Sequence, residues 1–171
     1  MRRSGLPPVV GTIENGEITW QRIENIDYET LGFVLACHLI IEHYVTETLK
    51  SESWPSEELR WEHARLTFSQ KVSLLPENDR SRSSDKFADL IPCIKHLNSL
   101  RNKFSHNIDF HLSTKDMLPF SQLLTKISAA PDEIPSEPVE LLSIFTTIAC
   151  AYFGGFISRR ATTRKPSRVA T

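Results

Sequence analysis

The stretch from Val139 to Ser158 sets the hardest condition on any fold this chain can adopt. Leu141, Leu142, Ile144, Phe145, Ile148, Ala149, Cys150, Tyr152, Phe153, Phe156 and Ile157 leave no polar side to a helix of that length. A helix apolar all round is a central buried helix, a subunit interface or a membrane span. A span needs about 20 predominantly apolar residues, and Glu140, Ser143, Thr146, Thr147, Gly154 and Gly155 interrupt this run. Core or dimer interface is therefore favoured over membrane, and the small residues Ala149, Ala151, Gly154 and Gly155 permit close helix approach.

The rest of the chain must then cover that helix. With 171 residues, 40% of them hydrophobic, it is long enough for one domain with a real core and too short for two. From Asp27 to Lys50, Leu31, Val34, Leu35, Cys37, His38, Ile41, Tyr44, Val45 and Leu49 recur at spacings of three and four, which predicts a helix buried along much of its length, with Asp27 as N-cap. Ser51 to Pro55 is a breaker, and Ser56 followed by Glu57, Glu58 and Leu59 predicts a second helix from about Glu57 to Leu75. A third runs from Phe87 to His106, with a break near Leu90 or a kink at Pro92 because proline removes one helical hydrogen bond. Ser113 and Asp116 form a capping box that opens a fourth helix, Thr114 to about Ser128, with Met117, Leu118, Phe120 or Leu123, Leu124 and Ile127 inward. The expected fold is all-α, an up-and-down bundle of about five helices over residues 27–158.

Both ends differ from that body. Residues 1–26 read as an arm in which Val9 to Arg22 alternate apolar and polar residues about Asn15-Gly16, the strongest short signal for a β-hairpin. Such a hairpin is barely stable alone, so Ile13, Ile18 and Trp20 are expected to lean on the helices. Residues 159–171 carry Arg159, Arg160, Arg164, Lys165 and Arg168 with no acid, and are expected to be a disordered basic tail able to help hold an RNA backbone. The net charge is only −1 with 24% charged residues, so any nucleic-acid contact must be local rather than a whole-surface field. Cys37, Cys93 and Cys150 are odd in number, far apart and in apolar settings; they read as reduced thiols. No hydrophobic leader follows Met1-Arg2-Arg3, and the expected location is the cytoplasm.

The densest chemistry lies in Leu97-Asn98-Ser99-Leu100-Arg101-Asn102-Lys103-Phe104-Ser105-His106-Asn107. Ile94, Leu97, Leu100 and Phe104 make the stripe that buries this helix, and Arg101 is placed at its edge. The spacing Arg101-Asn102-x-x-x-His106 resembles the signature of the HEPN superfamily, an Arg, a polar residue after it and a His a few residues beyond. The chain around it is also similar to bacterial HEPN-type proteins across roughly residues 27 to 157. It carries His38-Leu39-Ile40-Ile41-Glu42-His43-Tyr44 early, Phe68-Ser69-Gln70-Lys71 in the second helix, the motif at the end of the third and an apolar last helix. The resemblance implies a compact helical bundle and a metal-independent ribonuclease with a composite site at a dimer interface. It implies Arg101, Asn102 and His106 as the catalytic residues. Where one toxin branch has a tyrosine this chain has Ile108, so regulation through that tyrosine is not implied.

Those residue types suit the chemistry. RNA cleavage without metal needs a base for the ribose 2′-hydroxyl, an acid for the leaving 5′-oxygen and positive charge on the phosphate. Histidine serves either proton transfer near neutral pH, and arginine offers phosphate a planar fork of donors. Lys103, Arg80 and Arg82 are candidate RNA-phosphate contacts. On a straight helix Arg101 and His106 stand about 140° apart. Either the helix ends near Ser105 and turns His106 back, or a second copy completes the site.

The structural alternative has Arg101 paired with an acid such as Glu42, Asn102 and Asn107 capping, and His106 on the helix dipole. His38 is expected to be a core histidine paired with Glu42. A metal site from His38, Glu42 and His43 is rejected because the two histidines are not one turn apart, and no cofactor is expected. Expected partners are RNA, a second copy and an antitoxin or regulatory protein, with no membrane. The rival to a ribonuclease is a non-catalytic regulatory or protein-interaction module similar to the mannitol-operon repressor type of helical bundle.

Overall fold

The computed structural model describes residues 9–14, 17–22, 27–52, 65–75, 84–107 and 109–163, with side chains described for 27–51, 65–75, 88–107 and 109–162. It is mostly helical. Among the described residues five α-helices follow in order: α1 Tyr28–Glu52, α2 Phe68–Ser73, α3 Ser84–His106, α4 Leu118–Ile127 and α5 Pro138–Thr163. The backbone of Val9–Glu14 and Glu17–Arg22 pairs antiparallel, Ile13 opposite Ile18. The Asn15-Gly16 turn and the packing of Ile13, Ile18 and Trp20 lie outside the described residues, as do 1–8, 23–26, 53–64, 76–83, 108 and 164–171.

The apolar spacing of α1 is spent as the sequence predicts. The Asp27 carboxylate accepts the Thr30 amide at 3.0 Å and starts the helix, and the hydrogen bonds to Thr30 are what hold the Asp27 carboxyl below its usual range. Val34, Cys37, Ile41, Val45 and Leu49 are buried. One flank of this stripe meets α5, where Tyr44 stacks against Phe153 at 6.4 Å. The other meets α3 through His38 and Asn98. Within α5, Leu142, Phe145, Ala149 and Phe153 are fully buried, and Phe145 lies 4.7 Å from Phe120 of α4. By length and composition alone, Pro138–Thr162 could also cross a membrane. Here one face of it forms the centre of the core.

Three boundaries depart from the sequence expectation, each for a local reason, and at Pro92 the helix continues rather than breaks. Residues 65–67 are not helical. Thr67 instead opens α2 with its own capping box, its hydroxyl accepting the Gln70 amide while the Gln70 side chain accepts the Thr67 amide. A helix running unbroken from Glu57 is thereby ruled out. No break occurs near Leu90: α3 passes through Pro92, whose ring is on the exposed side, where the lost amide donor costs no buried partner. The Ser113–Asp116 box forms, but it opens a 3-10 turn, Thr114–Met117, before α4 begins. Leu118 is consequently 55% exposed rather than inward. The last helix continues to Thr163, so Arg159 and Arg160 are helical and not part of a disordered tail.

Candidate functional site

The last turns of α3 are anchored from beneath by Leu97 and Leu100, both fully buried, and by Phe104, which meets Phe110 edge-on at 4.8 Å. That anchoring leaves Arg101 and His106 exposed and Asn102 half-buried. Arg101 Nη1 donates to Asn102 Oδ1 at 3.0 Å. The helix does not end at Ser105. It runs through His106, with the Asn107 amide donating to the Lys103 carbonyl at 2.8 Å. His106 therefore stays about 140° around the axis from Arg101, and the turn-back of His106 toward Arg101 within one chain does not occur. Asn102 and His106 do share a face.

Lys103 is committed elsewhere. It forms an ion pair with Asp116 at 2.9 Å and lies over the Phe110 ring at 5.2 Å. Asp116 also accepts the Ser113 hydroxyl and amide, and its carbonyl engages His96 Nε2 at 2.7 Å. Partial burial pushes the Asp116 carboxyl up, but the hydrogen bonds from Ser113 and Lys103 outweigh it and hold the group below the usual range. The motif turn is thus tied to the start of α4. Arg80 and Arg82 lie outside the described residues.

A second polar group, absent from the sequence reading, sits where α1, α2 and α3 meet. His38, 5% exposed, does not pair with Glu42. Its Nε2 meets Asn98 Oδ1 at 3.1 Å, and Asn98 Nδ2 donates to Ser69 Oγ at 3.4 Å. The imidazole packs against Phe68 with centroids 4.3 Å apart. Because the Asn98 oxygen accepts, Nε2 carries the proton. Burial pushes the His38 pKa down; the Asn98 hydrogen bond and the Glu42 charge oppose this, and the nearby Arg101 charge adds to it. The imidazole is accordingly neutral at neutral pH. Glu42 is taken by Lys71 at 2.7 Å, so the expected Arg101–Glu42 ion pair is absent, and Arg101 has no carboxylate partner among the described residues. Asn98 stands one turn before Arg101 and Asn102 and could have been weighed with them; its partners, on other helices, carry no signal in the sequence.

Other features offer less chemistry. A cleft of about 500 Å³ between α4 and α5 is lined mainly by Leu124, Ile127, Ile134, Ile144, Ile148 and Tyr152, with Glu133 its one carboxylate. Among the described residues no three His, Cys, Asp or Glu side chains are grouped to hold a metal ion. What the end of α3 presents is an exposed guanidinium, an exposed imidazole and an amide that fixes the guanidinium. Compared with known proteins, the chain matches no family model, and no curated protein or solved structure is significantly similar to it.

Proposed function

We propose that this chain is a metal-independent endoribonuclease of the HEPN type, related to toxins or phage defence, that acts on RNA in the cytoplasm as a homodimer. Arg101 binds the scissile phosphate and neutralises its developing charge, Asn102 holds the guanidinium, and His106 transfers the proton. One observation carries the reading: Arg101 and His106 are exposed and not spent on the fold, since Glu42 belongs to Lys71 and His106 has no hydrogen bond or ion pair among the described residues. In the reaction a neutral imidazole takes the 2′-hydroxyl proton, O2′ attacks phosphorus, and the P–O5′ bond breaks as a second, protonated imidazole gives its proton to O5′. A single chain offers one such histidine, and at about 140° from Arg101 it does not reach the same phosphate. A second copy supplies the missing partner.

Incubating the purified protein with RNA in EDTA tests this. Wild type is expected to cleave, with Arg101→Ala and His106→Ala each lowering the rate about 100-fold or more, the usual worth of one proton-transfer or charge-stabilising group. No cleavage by wild type, or equal cleavage by His106→Ala, overturns it. The offset of Arg101 from His106 favours one rival, a non-catalytic regulatory or protein-interaction module similar to the mannitol-operon repressor type. Under that reading both alanine variants lower the melting temperature while partner binding survives, whereas the proposed roles leave the melting temperature unchanged.

A further inference from the structure

The connector that joins α4 to α5 does not close over the helices it links. Beneath it lies the cleft of about 500 Å³, an ordinary volume for a small-molecule site. The sequence explains the opening. Ile144, Ile148 and Ala151 recur at helical spacing on the flank of α5 that Leu142, Phe145, Ala149 and Phe153 leave outside the buried core. Where the connector passes over them it offers Ser128 and Ala130, side chains too small to fill the space. Leu124 and Ile127 of α4 complete an aliphatic floor, and Ile144 is left 38% exposed. Two residues of the wall give this apolar space a direction. Tyr152 brings its one aromatic ring, and Glu133, at the end of the short turn Pro131–Glu133, its one charged side chain.

The charge around the cleft has one sign. From Ile127 to Ser158 the chain carries Asp132, Glu133, Glu137 and Glu140 and has no Lys, Arg or His. Glu137 is spent on the start of α5, where its carboxylate accepts the Glu140 amide at 2.7 Å. Glu140 lines an adjoining cleft of about 410 Å³ on the other side of Ile144. Glu133 holds no ion pair among the described residues, and Lys126, the cation closest to it along the chain, is held by Asp89 at 2.7 Å. Carboxylates beside low-dielectric walls concentrate a negative potential in the opening, and an aromatic ring also attracts a cation. We propose that this cleft binds a small amphipathic amine, its hydrocarbon part over Leu124, Ile144 and Ile148 and its ammonium group against the Glu133 carboxylate. An anionic ligand of the same shape meets repulsion there, and a neutral one gains nothing from Glu133. Arg101, Asn102 and His106 do not line the cleft, so the proposal is independent of the ribonuclease reading.

Octylamine, octanol and octanoate put a cationic, a neutral and an anionic head on comparable hydrocarbon chains, and an alkylamine is charged at neutral pH as lysine is. In calorimetric titrations of the full chain, octylamine is expected to bind once per chain with a Kd on the order of 0.1–1 mM. It should bind about threefold more tightly than octanol and about tenfold more tightly than octanoate, as suits an ion pair near the surface. Glu133→Gln, a change at an exposed position, is expected to abolish the preference for octylamine over octanol. Ala151→Trp, which fills the cleft from an exposed position, is expected to abolish binding of both, with the helical circular dichroism of the chain retained. No saturable binding of octylamine by wild type, or octanoate bound as tightly as octylamine, overturns the proposal. So does a preference for the amine that survives Glu133→Gln, or binding unchanged in a folded Ala151→Trp. RNA cleavage, present or absent, leaves each of these outcomes as it stands.

Discussion

Replacing Asn98 with alanine removes the acceptor of a buried imidazole N–H, together with a long, exposed hydrogen bond to Ser69 Oγ at 3.4 Å. The His38 ring stays wedged against Phe68 with Nε2 cut off from water, since the residue is only 5% exposed. An orphaned buried donor costs about 1–3 kcal/mol, and for a chain of this size each kcal/mol lowers the melting temperature by about 2–4 °C. The expected loss is therefore about 2–12 °C at neutral pH, read by circular dichroism. The pH arm gives a sharper test. Because the folded His38 pKa lies below its ordinary value of about 6.5, the unfolded chain binds the proton more readily. Stability from this residue is full above about pH 6.5 and falls as the pH drops toward the folded pKa, by at most about 1.4 kcal/mol per pH unit. His38→Gln keeps an N–H donor for Asn98 but cannot titrate. Its stability difference between about pH 7.5 and 5.5 is expected to be smaller than wild type's, the other histidines cancelling in the comparison. Equal pH dependence in the two proteins would refute the burial argument, and an Asn98→Ala variant as stable as wild type would refute the hydrogen bond.

Thr48 is fully buried with no hydrogen-bond partner for its hydroxyl among the described residues. Thr48→Val, nearly the same shape without the polar atom, is expected to raise stability by about 1 kcal/mol in chemical denaturation, and a loss would show that the hydroxyl is satisfied after all. Burial, with help from the Asp89 charge, pushes the Cys93 thiol up to about 11. Cys93 should resist a disulfide reagent in the folded protein at neutral pH and react at once in denaturant, as followed by mass spectrometry of the labelled peptide.

Helices were legible wherever periodicity was strong. The stripe of α1, the Asp27 cap and the apolar character of α5 needed only spacing and residue type. Partner choice was not legible. His38 has Glu42 one turn along its own helix, and local reasoning pairs them; packing α2 and α3 against α1 brings Asn98 to the imidazole and Lys71 to the carboxylate. The phase of α4 was lost for a related reason. The Ser113–Asp116 box marks a helical start in sequence, but it closes a tighter 3-10 turn that swings Leu118 outward. At the motif, the five-residue offset was readable, yet whether α3 stopped before His106 depended on the Lys103–Asn107 hydrogen bond.

The Asp116 cluster has a meaning for how such a sequence can change over time. Lys103, Ser113 and Asp116 depend on one another through a single carboxylate, so drift at one position should be answered at the others, in the manner of paired substitutions. Arg101 and His106 have no such obligation to the fold. Among descendants of this chain, joint change at positions 103, 113 and 116 beside an unchanging Arg101 and His106 would mark selection for chemistry. Free variation at 101 and 106 would mark a scaffold that had kept its architecture after losing its trade.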